Sequence, residues 1–275
     1  MTAEVLEARQ ISLGYVREGG WQQVLEHFDL KLAAGEVVSI LGPSGVGKSS
    51  LLRVLAGLQE ARTGSVTLQG EPLHGPHPRL AVAFQDPSLL PWLSLEKNVA
   101  FGLDFARQAK LPAAERRARV EHAIAAVGLA HARQQYPAQL SGGMAQRTAL
   151  ARCLARQPEV LLLDEPFGAL DEVTRADMQQ LLLQLIDTHG TAAVLITHDI
   201  DEALLLSDRV LLLGGHPAHA LGQWQIDLPQ PRAQRIEELG ALRIDILKTL
   251  RRASRPANPS SSSLPLSSET VHVHG

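Results

Sequence analysis

One glycine-rich segment constrains the fold of this chain more than any other feature of the sequence. Its residues match the phosphate-binding-loop (P-loop) pattern and are Gly42, Pro43, Ser44, Gly45, Val46, Gly47, Lys48 and Ser49. Glycines let successive backbone N–H groups point at phosphate oxygens, and the N-terminus of a following helix adds partial positive charge. The lysine ammonium suits the β- and γ-phosphates, and the Ser49 hydroxyl suits Mg²⁺. The segment therefore predicts a bound nucleotide with Mg²⁺.

The strand pattern around this segment is that of an α/β fold. Short apolar runs alternate with longer helical patterns, which is typical of a mainly parallel sheet. The buried-strand candidates are residues 37–41, 80–84, 160–164, 192–197 and 210–213. Residues 5–13 and 24–32 are more amphipathic, so they predict an antiparallel β edge.

Helical patterns dominate between the second and third buried strands. They cover residues 94–103, 112–127 and 143–157, so we expect an α-helical subdomain over about 86–157, inserted in the α/β core. A further helix is expected over 47–58, and an amphipathic closing helix through Ile236, Leu239, Leu242, Ile246 and Leu250. Residues 1–252 then form one domain, and the Ser/Pro-rich residues 253–275 are expected to be a disordered tail.

Composition excludes several classes of function. Lys plus Arg number 26 against 29 Asp plus Glu, a net charge of −3, so no basic field predicts a nucleic-acid partner. The single cysteine, Cys153, excludes an internal disulfide framework and a zinc ribbon. No apolar run is long enough to cross a bilayer, so any membrane component is expected to come from a partner.

A second part of the nucleotide site is predicted at the end of the strand 160–164. An apolar run ending in two acids places Asp164 at the carboxyl edge of the sheet, where open α/β sheets bind ligands. Asp164 there suits the Mg²⁺ shell, and Glu165 can accept a proton from an attacking water or orient it. Beside a P-loop, this arrangement predicts a nucleoside triphosphatase.

A second phosphate-binding segment lies far along the chain from the first. Ser141, Gly142 and Gly143 stand at the start of a predicted helix, where a hydroxyl and flexible amides meet a positive helix end. Taken alone, such a helix start is more often a plain N-cap. A protein that needs two phosphate-binding segments is expected to use the second one in trans.

With these motifs the chain resembles the ATP-binding cassette (ABC) family from about residue 5 to 213. Residues 140–147 are similar to its signature motif, Gln85 to the Q-loop glutamine, residues 169–171 to the D-loop and His198 to the switch histidine. Tyr15 is similar to the aromatic residue that stacks on adenine, with Trp21 as the competing candidate. The departures are small: Met144 stands where many members carry Gln, and Ser50 where Thr is common.

The resemblance implies an RecA-like P-loop NTPase core and a mechanism. Two copies would sandwich two ATP molecules, with Glu165, His198 and Gln85 as the catalytic residues. Ser49, Gln85 and Asp164 would hold Mg²⁺. The implied nucleotide contacts are Tyr15, the P-loop residues Gly42 to Ser49 with Ser50, and, from the other copy, Ser141, Gly142, Gly143 and Asp171.

Finer similarities point to importers of the nitrate, sulfonate and taurine type. They imply a separate integral-membrane permease, a solute-binding protein that feeds it, and a peripheral position at the cytoplasmic face of the inner membrane. Trp92 and Leu93 would then contact the permease; the alternative is an apolar turn packed inside the helical subdomain. The alternative function is a soluble ABC ATPase without a membrane partner.

Overall fold

A computed structural model describes residues 4–17, 19–105 and 110–253. The predicted tail, 253–275, lies outside these residues except for Ala253. The strands are β1 (Glu4–Arg17), β2 (Gly20–Ala33), β3 (Val37–Leu41), β4 (Thr63–Leu68), β5 (Glu71–Pro72), β6 (Leu80–Ala83), β7 (Val160–Asp164), β8 (Ala192–Ile196), β9 (Arg209–Gly214) and β10 (His219–Gln225). The α-helices are α1 (Lys48–Leu55), α2 (Leu95–Ala100), α3 (Ala113–Ala126), α4 (Gly142–Ala155), α5 (Glu172–His189), α6 (Ile200–Leu206) and α7 (Gly240–Ala253).

A six-stranded sheet with the order β10-β9-β3-β8-β7-β6 forms the centre of the fold. All neighbouring pairs are parallel except β10 with β9. In β7, Val160 and Leu162 face one apolar cluster while Leu161 and Leu163 face another, so the sheet is buried on both faces. Each predicted buried strand is present, and the parallel strands bring their carboxyl ends to one edge.

The two N-terminal strands pair antiparallel, as predicted. They form a separate four-stranded sheet with the order β2-β1-β4-β5, packed over the central sheet, and β10 is the antiparallel edge of the central sheet itself. The sequence pattern predicts neither β4 nor β10. Three of the six residues of β4 are exposed, so it lacks the apolar run by which the other strands were found.

The predicted helical insertion is present as α2, α3 and α4, and no strand is described between β6 and β7. The buried side chains of Val99, Ile124 and Leu150 join it to the sheet-covering core. Asn98, fully buried, ties down the loop before it: its side chain accepts from Leu90 N (2.8 Å) and its amide donates to Leu93 O (2.9 Å).

Helix α4 is fixed to the segment that follows β6. The Arg152 guanidinium donates to the carbonyl oxygens of Pro87 (2.9 Å) and Ser88 (3.1 Å). One residue on, the Cys153 thiol donates to Val82 O (3.3 Å). Burial raises the pKa of Cys153 to about 11, so the thiol stays protonated at neutral pH and serves packing.

The C-terminal part of the described chain closes the other side of the sheet. The predicted closing helix is α7, and Leu239 and Ile246 join a buried cluster with Val210 and Leu212 of β9. Helices α5 and α6 were not predicted, although α5 carries a start signal at Asp171 and a left-handed C-cap at Gly190. Among the described residues, no helix combines the length and the apolar character that a membrane crossing requires.

Candidate nucleotide-binding site

A cavity of about 540 Å³ opens at the carboxyl edge of the central sheet. Its lining comes from the P-loop, from the ends of several parallel strands and from the β1–β2 hairpin. The lining residues are Tyr15, Gln22, Gln23, Val24, Ser44, Gly45, Val46, Gly47, Lys48, Ser49, Ser50, Gln85, Asp164, Glu165, His198, Gly215 and His216. The sequence predicted most of this set, and the fold brings it together from positions far apart in the chain.

The P-loop joins β3 to α1 and needs its glycines. A Cβ on Gly42 would lie 2.7 Å from the carbonyl oxygen of Leu213, and Gly47 adopts a φ of 100° with Val24 close by. The buried Lys48 donates from Nζ to Gly42 O (2.7 Å) and Pro43 O (2.9 Å). Burial lowers the pKa of Lys48, while the nearby carboxylates of Glu165 and Asp164 oppose that shift.

Asp164, the last residue of β7, is a buried carboxylate next to the start of α1. Burial raises its pKa, and a hydrogen bond with the side chain of Ser49 opposes the rise. A carboxylate and a hydroxyl in contact are the oxygen ligands that Mg²⁺ takes from proteins, usually one or two of them with phosphate and water completing the shell. The described residues contain no cluster of three or more His, Cys, Asp or Glu. A Mg²⁺ ion held partly by phosphate does not need such a cluster.

Glu165 follows in a left-handed backbone conformation, with a φ of 46°. That conformation is uncommon for residues other than glycine and turns the chain sharply after β7. Both oxygens of its carboxylate are engaged: Gln85 Nε2 donates to Oε2 (3.2 Å), and His198 Nδ1 donates to Oε1 (3.1 Å). The three predicted catalytic residues therefore meet, each at the carboxyl end of a different strand.

The structure separates the two candidates for an aromatic base contact. Tyr15 lines the cavity, and its hydroxyl hydrogen-bonds to that of Ser50. Trp21 is not among the lining residues; it packs against Gly14, and the Arg62 guanidinium lies 4.3 Å from its ring centroid. The geometry favours Tyr15, and the stacking itself stays a prediction.

The segment predicted to bind a second phosphate group lies outside this cavity. The Ser141 side chain caps α4 by accepting from Met144 N (3.3 Å), and Ser141 and Gly142 are exposed. Asp171 caps α5 by accepting from Thr174 N (3.0 Å) and the Thr174 hydroxyl (2.8 Å), and these hydrogen bonds lower its pKa. Gly143 approaches Leu170, so these two helix starts are neighbours on the surface.

Sequence reasoning missed five of the lining residues. They are Gln22, Gln23 and Val24 of β2, and Gly215 and His216 after β9. One signal was available for the last two, because they follow a predicted parallel strand at its carboxyl end. Nothing in the sequence indicates that β2 crosses the same cavity.

The segment between β6 and α2, here called the Trp92 loop (residues 84–94), exposes its tryptophan. The Trp92 side chain is 69% accessible, so the alternative of a turn packed inside the helical subdomain does not describe it. Leu93 is half-buried at the rim of a second groove beside α2 and α3.

The fold and the site together define a P-loop nucleoside triphosphatase. The family model described as ABC transporter matches residues 25–168, and the chain belongs to that family. The aliphatic sulfonates import ATP-binding protein SsuB 1 of Xanthomonas axonopodis pv. citri is 50% identical over 235 residues, which cover 84% of this chain and 92% of that protein.

Two further comparisons extend the likeness. The bicarbonate transport ATP-binding protein CmpC of Synechococcus elongatus is 47% identical over 209 residues, which cover 76% of this chain and 31% of that longer protein. A solved structure, the dimeric post-hydrolysis state of the ATP-binding cassette MJ0796 bound to ADP and Pi, is similar with a TM-score of 0.74 and 29% identity, covering 82% of this chain and all of that one (100%). The chain is thus an ATPase of the ABC family.

Proposed function

We propose that this chain is the ATP-hydrolysing subunit of an ABC importer and works as a homodimer on a separate permease. One observation carries the proposal. Lys48, Asp164, Glu165 and His198 converge on one cavity in a chain that is 50% identical to an import ATP-binding protein.

The P-loop is the part of the site that binds the phosphates of ATP. Lys48 already donates to two loop carbonyls, so its ammonium is held inside the cradle and can bridge those oxygens and a phosphate. The backbone amides of the loop and the N-terminus of α1 supply the remaining donors. Partial burial strengthens these contacts relative to bulk water.

The residues beside the P-loop fit a magnesium ion. Asp164 and Ser49 are in contact, and the side chain of Gln85 lines the same cavity. When bound with ATP, Mg²⁺ neutralises phosphate charge that develops during transfer. This chain's own contribution is to hold the oxygen ligands at the end of β7 and the start of α1.

Glu165 is the residue proposed to orient and deprotonate the attacking water. The Gln85 and His198 hydrogen bonds fix its carboxylate in one orientation, which the left-handed backbone also supports. His198 is largely exposed, and its Nδ1 faces Glu165, so Nε2 is the free ring nitrogen; it can donate to a γ-phosphate oxygen when the ring carries a proton on both nitrogens.

Dimerisation follows from the position of the second phosphate-binding segment. Ser141, Gly142, Gly143 and Asp171 stand outside the P-loop cavity on the surface of the same chain. We infer that they complete the site of a second copy; the similar MJ0796 structures are dimeric. ATP then becomes part of the interface, and its hydrolysis weakens that interface.

The permease contact is proposed at the Trp92 loop and the adjoining groove. The groove measures about 540 Å³, and its lining includes the apolar residues Leu93, Phe101 and Val120. Charged residues of both signs, among them Glu96 and Arg116, also line it. A groove with apolar and charged lining residues suits a short amphipathic helix from a membrane protein. We therefore propose that the subunit lies at the cytoplasmic face of the inner membrane, as a peripheral protein.

The solute is proposed to belong to the nitrate, sulfonate and taurine-like class, delivered to the permease by a solute-binding protein. The support is the set of relatives, which are named for import of aliphatic sulfonates, bicarbonate and nitrate. All of these are small oxyanions.

The proposal is tested with tagged Glu165→Gln, which should trap ATP and the closed dimer. Membranes from the source organism are solubilised gently with Mg-ATP, and co-purifying proteins are identified. We expect an integral-membrane permease, and a matched Lys48→Ala sample should lose the ATP dependence of its recovery. Recovery of only soluble partners or nucleic acid, despite a formed ATP dimer, would favour the soluble ABC ATPase instead.

A further inference from the structure

Every parallel strand of the central sheet ends at the nucleotide cavity. β3 leads into the P-loop, β6 is followed by Gln85, β7 ends at Asp164, and β8 is followed by His198 within two residues. The strand β9 is the fifth, and it also delivers residues to the cavity, Gly215 and His216. These two are the strand-end residues to which no role has been given.

The turn that carries His216 is held firmly against β2. Ala218 N donates to Val24 O (2.8 Å), and Glu26 N donates to Ala218 O (2.9 Å), a pair of bonds that forms a parallel bridge. On its other side, β9 passes so close to the P-loop that a side chain at Gly42 would clash with Leu213 O. The position of His216 is therefore set by contacts on both sides of its turn.

β2 forms the floor between this turn and Tyr15. Tyr15 on β1 pairs with Gln22 of β2, while the turn after β9 joins β2 at Val24 and Leu25, from the other edge. Gln22, Gln23 and Val24 all line the cavity. Tyr15 and His216 therefore lie on segments that join opposite edges of β2, and both line the cavity.

The His216 side chain is available for such a contact. The residue is exposed, and within residues 4–17, 19–105 and 110–253 its ring makes no hydrogen bond. We propose that His216 is a binding residue for the adenosine part of the nucleotide, on the side of the cavity opposite Tyr15. This inference rests on the proposed ATP site and adds a residue to it.

The chemistry favours the adenosine part over the phosphates. The P-loop amides, the Lys48 ammonium and the N-terminus of α1 already supply the phosphate donors. A neutral imidazole carries one donor and one acceptor, which suits ribose hydroxyls and the edge of a base. Its neighbours on the floor, Gln22 and Gln23, are polar in the same way.

The test compares two ligands that share the phosphate contacts. ADP carries adenosine and pyrophosphate does not, and neither ligand requires hydrolysis. Dissociation constants for both are measured by calorimetry with MgCl₂ present, on the wild-type chain, His216→Ala and Lys48→Ala. His219→Ala is the matched control, since His219 is an exposed histidine that begins β10 directly after this turn and does not line the cavity.

We expect His216→Ala to weaken ADP binding by about three- to tenfold, the worth of one hydrogen bond, with pyrophosphate binding unchanged. His219→Ala should leave both affinities at the wild-type level. Unchanged ADP affinity in His216→Ala would overturn the proposal, and so would equal weakening of ADP and pyrophosphate, which would indicate a phosphate or P-loop effect.

Failure of the nucleotide site itself has a different signature. If Lys48→Ala also bound both ligands as tightly as the wild type, the proposed ATP site would be wrong, and His216 with it. Thermal unfolding without ligand checks that each variant is folded.

Discussion

Nδ1 of His198 lies 3.1 Å from Oε1 of Glu165, although the two residues are 33 positions apart in sequence. A carboxylate can only accept in this pair, so the proton sits on Nδ1 and the ring orientation is fixed. Because Gln85 holds the other oxygen, the Glu165 carboxylate is set from both sides before any substrate arrives.

Glu165→Gln is expected to bind ATP normally and to hydrolyse it about 10²- to 10⁴-fold more slowly, because an amide cannot accept the water proton. The variant should also form a stable dimer with ATP. Single-turnover hydrolysis and size-exclusion chromatography measure the two effects. Turnover at the wild-type rate would show that Glu165 is not the base.

His198→Ala should lower kcat more than it raises KM, because the ring both orients Glu165 and faces the γ-phosphate in the proposed mechanism. In a double-mutant cycle with Gln85→Ala, the two losses should not add, since both residues hold the same carboxylate. Strictly additive losses in kcat would argue that Gln85 and His198 act independently.

Lys48→Met should abolish measurable nucleotide binding while leaving the nucleotide-free chain at least as stable as the wild type. The reason is that burial lowers the pKa of Lys48, so the folded state disfavours the charge that the variant removes. Urea denaturation without nucleotide measures the stability, and calorimetry measures the binding. A large loss of stability would mean that the bonds to Gly42 and Pro43 outweigh the burial cost.

Glu202 offers a test by pH. It is buried on α6, where burial raises its pKa above the ordinary value of 4.5, and it accepts from Gln179 Nε2 (3.1 Å). A raised pKa means that the protonated form favours folding; this contribution is complete below the unfolded pKa and is lost as pH rises through the folded one. Relative to the wild type, Glu202→Gln should therefore gain stability between pH 4.5 and neutral pH.

Denaturant midpoints for this pair at pH 5 and pH 7.5 provide the check. A variant that is less stable at pH 7.5 than at pH 5, relative to the wild type, would show that the charged carboxylate supports the fold.

Trp92→Ala is expected to leave folding and the basal ATPase rate of the isolated subunit unchanged, because Trp92 is 69% exposed and does not line the nucleotide cavity. Stimulation of that rate by the permease should be lost. Thermal unfolding and ATPase assays with and without reconstituted permease separate the two effects. A fall in stability with coupling intact would restore the interpretation as a packed turn.

The parts of the fold that the sequence predicted best are those buried on both faces. β3 and β7 match their predicted bounds because every residue in them is buried and apolar patterns leave no ambiguity. β4 and β10 were missed because half or more of their residues are accessible and their stability comes from pairing with distant strands.

The site shows the same division. The P-loop, Asp164 and Glu165 belong to local motifs, so their position at the cavity was predictable from the sequence alone. The hydrogen bonds from Gln85 and His198 to Glu165, and the position of His216, depend on which strand ends become neighbours. Only the sheet order determines that. The choice between Tyr15 and Trp21 likewise needed the path of the hairpin.

The two hydrogen bonds from Arg152 to Pro87 and Ser88 couple any movement of α4 to the Trp92 loop. One end of α4 carries Ser141, the proposed contact with the partner's ATP, and the other end is hydrogen-bonded to the Trp92 loop. In the proposed dimer, α4 moves when the two nucleotide-bound subunits separate, and the permease contact moves with it. Because of this link, the proposed subunit can hardly hydrolyse ATP without moving the permease.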